Sequence, residues 1–140
     1  MKKILILFAF AILSSCTQNN VNIDHLPGYW EISKAENEEG KSKEFVMNQN
    51  IDYIVLKDST GFRKKVKPQY SGKFQGSKDV EEFKLMEKEG KFTLLYTTPY
   101  DSWKEEIIHL TEEQLIMKNE NGITYTYKRY KALAEFNEKE

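Results

Sequence analysis

From Gly28 to Tyr127, apolar side chains recur at every second position in short runs, and each run stops at a turn signal. A period of two marks a strand with one face on a core, because residues i, i+2 and i+4 line the same side. Trp30 and Ile32 share a face. Ile51, Tyr53 and Val55 alternate, although Ile54 and Leu56 give that strand apolar residues on both faces. Phe62 to Val66 runs into Pro68. Tyr70, Gly72 and Phe74 alternate next, and Gln75 to Lys78 reads as a turn. Further runs hold Phe83 and Leu85, then Phe92, Leu94 and Tyr96, then Trp103 to Leu110, then Leu115 and Met117, and finally Ile123, Tyr125 and Tyr127. Asp58-Ser59-Thr60-Gly61, Thr98-Pro99-Tyr100-Asp101 and Asn119-Glu120-Asn121-Gly122 are turn clusters between runs. The spacing predicts about eight or nine short strands, one every 8–12 residues or so, joined as antiparallel hairpins.

A meander of that size closes on itself, since closure removes the exposed sheet edges. The predicted fold is therefore all-β, a small up-and-down antiparallel barrel of about eight strands over residues 27–130. Aromatic residues make up 13% of the chain, a bias towards strands. A mixed α+β domain is the runner-up on composition. Ser42 to Asn50 lacks alternation and reads as a loop or short helix. Residues 131–140 form a tail with helix-forming residues.

The first residues follow another pattern. Met1-Lys2-Lys3 is a positive n-region, and Ile4 to Leu13 is an unbroken apolar run. A bilayer-spanning helix needs roughly 20 residues, so this run fits a secretory signal instead. Leu13-Ser14-Ser15-Cys16 then matches the lipobox of bacterial lipoproteins, with a branched apolar residue and two small residues before Cys. That pattern implies a signal peptide at 1–15, cleavage before Cys16, and lipid attachment to the Cys16 sulfur. Cys16 is the sole cysteine, so no disulfide forms within the chain. Residues 16–26 read as the acylated Cys and a flexible tether with an end-to-end distance near ~17 Å. By analogy with lipoproteins of double-membrane bacteria, Thr17 and the neutral Gln18-Asn19-Asn20 imply an outer-membrane anchor facing the periplasm.

The full-length net charge is −1, and removal of Lys2 and Lys3 leaves the mature chain near −3. A nucleic-acid binder would show a basic face, and none is expected here. Arg63-Lys64-Lys65-Val66-Lys67 is the one basic run. It reads as a solvated edge, with contact to anionic headgroups as the alternative.

Leu26-Pro27-Gly28-Tyr29-Trp30 carries a G-x-W pattern at the head of the first strand. Trp103-x-Glu105, Ile107-Ile108-x-Leu110-Thr111-x-x-x-Leu115 and Tyr125-x-Tyr127-x-Arg129 come late. Together they resemble the lipocalin-like domains of small Bacteroidetes lipoproteins, over about Leu26 to Tyr130. The resemblance implies an eight-stranded barrel and a binding role. It also implies that Trp30 closes one end of the barrel against Arg129, in a cation–π stack worth roughly 0.5–2 kcal/mol. Plain core packing is the other reading of Trp30. The large central lipocalin motif is missing, so the interior can be hollow or filled.

No catalytic constellation stands out. His25 and His109 are the only histidines, without ligand spacing or a Cys partner, so neither a metal site nor a cofactor is expected. No serine lies in a G-x-S-x-G elbow, and phosphate-binding glycine loops are missing. An enzyme is therefore not expected. Tyr53, Phe62, Tyr70, Phe74, Phe83, Phe92, Tyr96, Trp103, Tyr125 and Tyr127 are candidates to line the barrel, as core or as ligand wall. An exposed or Lys-paired glutamate is the default reading of Glu105. Because it shares parity with Trp103 and Ile107, it is also a candidate inward polar contact. The expected function is a lipid-anchored, non-enzymatic protein of the cell envelope that binds a small hydrophobic ligand. The alternative is an interaction lipoprotein whose packed barrel meets an envelope protein.

Overall fold

The computed structural model describes residues 20–132. The expected signal peptide, Cys16, residues 17–19 and most of the C-terminal tail lie outside the described residues. After a 3-10 turn, Ile23–His25, nine strands follow among the described residues. They are β1 (Gly28–Glu36), β2 (Ser42–Glu44), β3 (Ile51–Lys57), β4 (Thr60–Pro68) and β5 (Phe74–Lys88). Then come β6 (Lys91–Thr97), β7 (Ser102–Leu110), β8 (Gln114–Asn119) and β9 (Thr124–Arg129).

Eight of these close an antiparallel barrel. Each long strand pairs with the next, and β9 returns to β1 with Trp30 opposite Arg129 and Glu36 opposite Thr124. Strand β2 adds to the ring without belonging to it. It pairs with β1 from Lys34 to Glu36, on the edge that β3 occupies from Gly28 to Trp30. The predicted loop at Ser42 to Asn50 thus begins as this three-residue strand.

Alternation sets the core. Leu94 and Tyr96 on β6, and Leu115 and Met117 on β8, are buried while the residues between them are not. The register carries the same face around the ring: Phe83 lies opposite Tyr96, Tyr96 opposite Trp103, and Ile107 opposite Met117. These side chains and Trp30, Leu110 and Tyr127 form one apolar cluster inside the barrel.

Two expectations are corrected. Tyr70 to Phe74 is not a strand, and Gln75 to Lys78 is not a turn. Residues 69–73 turn, and β5 then runs unbroken for 15 residues. A register irregularity hides this, with Lys64 opposite Val80 but Val66 opposite Gly76. The extra residues bulge there, and Phe74 reaches Tyr29 of β1 on the outer wall, with ring centroids 4.3 Å apart. The tether is also shorter than expected. The Asn20 carbonyl accepts from the Leu110 amide at 2.9 Å, and the Asn22 amide donates to the Leu110 carbonyl at 3.0 Å. Val21 pairs with Leu110 as an isolated bridge, and Leu26 is fully buried. Apolar Val21, Ile23 and Leu26, scattered among polar residues, pack this segment across one end of the barrel.

Candidate functional site

The N-terminal segment plugs one end. Leu26 is buried beneath Trp30, whose Nε1 donates to the Leu26 carbonyl at 2.9 Å. Arg129 covers the indole with its guanidinium carbon 3.7 Å from the ring centroid. Three backbone carbonyls hold that guanidinium: His25 at 2.6 Å, Pro27 at 2.9 Å and Glu112 at 2.8 Å. Burial lowers the Arg129 pKa from its ordinary value, and Glu113 and Glu112 oppose that shift. Gly28 makes the stack sterically possible. Its φ is +127°, and a Cβ there would stand 2.5 Å from Arg129 Nη1. The Gly-x-Trp pattern therefore has a physical meaning: the glycine clears the path of the cation that covers the tryptophan.

The other end is the mouth, and its lining is polar. An opening of about 320 Å3 is walled by Arg63, Glu81, Trp103, Glu105, Asn119 and Tyr125, among others. Arg63 projects inward from β4. Its Nε donates to Glu81 at 2.7 Å and its Nη1 to Glu105 at 3.1 Å, and it lies 4.6 Å from the Tyr96 ring centroid. Burial works against the Arg63 charge, but Tyr96, Glu105, Tyr127 and Glu81 outweigh it and hold its pKa above the ordinary value. Burial raises the Glu105 pKa, and Arg63 and Tyr96 offset only part of that rise. Burial likewise raises the Tyr96 and Tyr127 phenols. Trp103 stacks on Tyr96 at 5.0 Å and 10°. The Tyr96 hydroxyl is buried with no aligned hydrogen bond. Asp52 is not part of this lining: it is buried opposite Trp30 of the plugged end, with Lys65 Nζ 2.5 Å from its Oδ1. That contact is an ion pair without hydrogen-bond alignment.

The expected lining residues divide into three groups. Trp103, Glu105 and Tyr125 line the opening. Phe83, Phe92, Tyr96 and Tyr127 belong to the interior cluster, and Phe83 also borders an outer groove of about 490 Å3 shared with Gly61 and Phe62. Tyr53, Phe62, Tyr70 and Phe74 are corrected: they stand outside the barrel. The register is the reason. Lys57 pairs with Thr60 across a two-residue turn, so Ile54 and Leu56 share a face with Arg63 and Gly61. Tyr53 and Val55 share the opposite face with Lys64 and Phe62. The interior takes the first set. Tyr70 sits in the turn after β4 and is fully exposed. Tyr53 and Phe74 both stack on Tyr29 in an outer aromatic cluster, with Phe74 edge-on to Tyr130. Ile51 and Val66 are buried but lie outside the interior cluster. A larger opening, about 500 Å3, is a groove beside this outer cluster, lined by Asn48, Gln49, Lys67, Tyr70, Phe74 and Tyr130 among others. Its size gives it no share in the barrel interior.

Arg63, Glu81 and Asn119 are the site residues that sequence reasoning missed. The hairpin register was the available signal for Arg63, since placing Ile54 inside places Arg63 inside as well. His109 pairs with Ile116 on the outward face of β7. Among the described residues, no group of three or more His, Cys, Asp or Glu side chains could hold a metal ion.

The family model of the lipocalin-like domain matches residues 26–117. In three dimensions the chain is similar to a lipocalin-like protein from Bacteroides uniformis. The two are 10% identical, and the match covers 76% of this chain and 99% of that one at a TM-score of 0.48. It is also similar to an uncharacterized protein from Bacteroides eggerthii, 12% identical, over 74% of this chain and 98% of that one, at a TM-score of 0.46. Lobster apocrustacyanin A1 is 11% identical over 84% of this chain and 68% of its own, at a TM-score of 0.46. No protein of curated function matches the sequence.

Proposed function

We propose that this chain, which belongs to the lipocalin-like domain family, is a lipid-anchored, non-enzymatic protein that binds a small amphipathic ligand at the mouth of its barrel. One observation carries the reading. From the plugged end to its middle the barrel interior holds one apolar cluster of buried side chains, and it opens where Trp103 and Tyr125 stand over the Arg63–Glu105 pair. At about 320 Å3, that opening is at the small end of ligand sites. An apolar body would rest on Trp103 and Tyr125. A polar end would meet Asn119, Glu81 and the Arg63 guanidinium. The expected hydrophobic ligand is thereby narrowed, because a wholly apolar molecule would leave the ion pair desolvated without new partners.

The anchor and location belong to the same proposal. Acylation of Cys16 would hold the chain at a membrane, and Thr17 with the neutral residues after it supports the periplasmic face of an outer membrane. Native mass spectrometry of the protein purified from its host tests the binding reading. The expected result is a reproducible adduct of one small molecule, lost in Trp103→Ala. Protein that is always empty would overturn it. The interaction reading has its own observation, the outer groove with exposed Tyr70 beside it. A co-purifying protein released by Tyr70→Ser, with no small-molecule adduct, would favour that alternative.

A further inference from the structure

The outer wall carries a segregation of charge that the mouth does not use. From Lys64 to Lys78 the chain has five lysines and no acidic residue, although its net charge is −1. This segment is the end of the β4–β5 hairpin, which reaches across the outer wall to Tyr29. Lys67 and Lys73 line the outer groove together with Tyr70. Lys64, Lys67, Lys73 and Lys78 have no ion-pair partner among the described residues, as is also true of Lys43, Lys57, Lys84 and Lys88, while Lys65 of the same segment pairs with Asp52. Three of the most exposed apolar side chains belong to the same region or the loop beside it: Val46 at 84%, Met47 at 92% and Tyr70 at 104% of full exposure. Asn48 and Gln49, the residues after Met47, line the groove, so the loop and the hairpin border one surface.

Exposed apolar tips set among unpaired lysines have a definite physical use. Lysine ammonium groups are drawn to anionic headgroups, each contributing on the order of 1 kcal/mol near the surface. Apolar tips and a tyrosine then enter the headgroup layer, where an amphipathic ring is at home. We propose that the β4–β5 hairpin and the Val46–Met47 loop form a docking face for an anionic lipid bilayer. The face commits to a membrane because a protein groove of this size would need acidic partner residues in register, whereas a lipid surface needs only density of negative charge. The proposal does not depend on acylation of Cys16. With an anchor present, the face would set how the barrel lies against the bilayer.

Tryptophan substitution at the tips tests it, with quenching by lipids brominated on their acyl chains. Met47→Trp and Tyr70→Trp report the docking face, and Tyr100→Trp reports the turn between β6 and β7 at the mouth. Each is made together with Trp103→Phe, so that Trp30 is the one native indole left. Trp30 is fully buried and gives a constant background. The full-length variants, purified from the host, are added to brominated phosphatidylcholine vesicles with or without phosphatidylglycerol. With phosphatidylglycerol, emission from the indoles introduced at positions 47 and 70 should be lost to the bromines, while emission from position 100 stays. Salt, or Lys67→Glu with Lys73→Glu, should restore the lost emission. The absence of quenching at both tips would overturn the proposal, as would quenching indifferent to phosphatidylglycerol and salt. A dimer in sedimentation that Tyr70→Ser dissolves would also overturn it, by giving the face to a second copy of the chain. Failure of acylation would appear separately, as loss of flotation with pure phosphatidylcholine vesicles.

Discussion

The two ends of one barrel interior use an arginine in opposite ways. At the plugged end, Arg129 covers Trp30 and spends its donors on three backbone carbonyls. At the mouth, Arg63 lies over Tyr96 and spends its donors on two carboxylates. Carbonyls carry no net charge and cannot leave, so the first arrangement is a fixed lid. Carboxylates can protonate or exchange partners, so the second is a site that a ligand can compete for. The contrast predicts that the plugged end governs stability and the mouth governs pH response and binding.

The largest effect should come from the plug. Trp30→Ala removes a fully buried indole and should cost about 4 kcal/mol. Urea unfolding measures it, and a loss below about 1 kcal/mol would erase the contrast. At the mouth, Arg63→Met strands Glu105 beside other acids and should cost about 3 kcal/mol, whereas Arg63→Met with Glu105→Leu should cost much less. A double-mutant cycle in the same assay reads the coupling. If the double variant were no more stable than Arg63→Met, the pair would not be the unit described. Gly28→Ala should cost about 2 kcal/mol through its positive φ and the displaced Arg129. Arg129→Met should relieve the steric part, and a full loss persisting in that background would assign the cost to backbone strain alone.

The smallest effect is the pH response of Glu105. Its folded pKa is raised above the ordinary 4.5, so the folded chain holds this proton more tightly than the unfolded chain. The sign follows: its contribution to stability is greatest below pH 4.5, declines as pH rises through the folded value, and then levels off. Glu105→Gln removes that decline. Wild-type stability relative to the variant should therefore fall with rising pH, measured by urea titration at each pH. A difference that rises instead would mean that Arg63 dominates the carboxylate.

The parts of this fold that were legible in the sequence are those where only one face of a strand is apolar. On β7, Trp103 and Ile107 share one face, and Glu105 follows them inward by parity alone, against its default reading as an exposed glutamate. The same logic failed on β3. That strand has Ile54 and Leu56 facing the core, but also Ile51 and Tyr53 under the outer cluster, so both faces read as core. With Tyr53 inward, the hairpin register puts Phe62 inside and Arg63 outside, in a run that reads as a solvated edge. Strand β5 failed for a different reason. Its bulge sits at Ser77-Lys78-Asp79, a composition shared by turns, and nothing local distinguishes the two. The docking of residues 20–26 was hidden because three apolar residues in a polar stretch carry no period.

The seam between β1 and β9 has a consequence for the order in which this molecule forms. Trp30 meets Arg129 and Glu36 meets Thr124, so the first long strand waits for the last. Contacts of such sequence separation form late, because their loop-closure entropy must be met before they stabilise anything. The plug waits too, since Arg129 is the residue that seals it. During synthesis the chain therefore has no finished core to close upon until β9 is available. Were the chain exported as proposed above, that delay would leave the barrel unsealed until its final strand had followed.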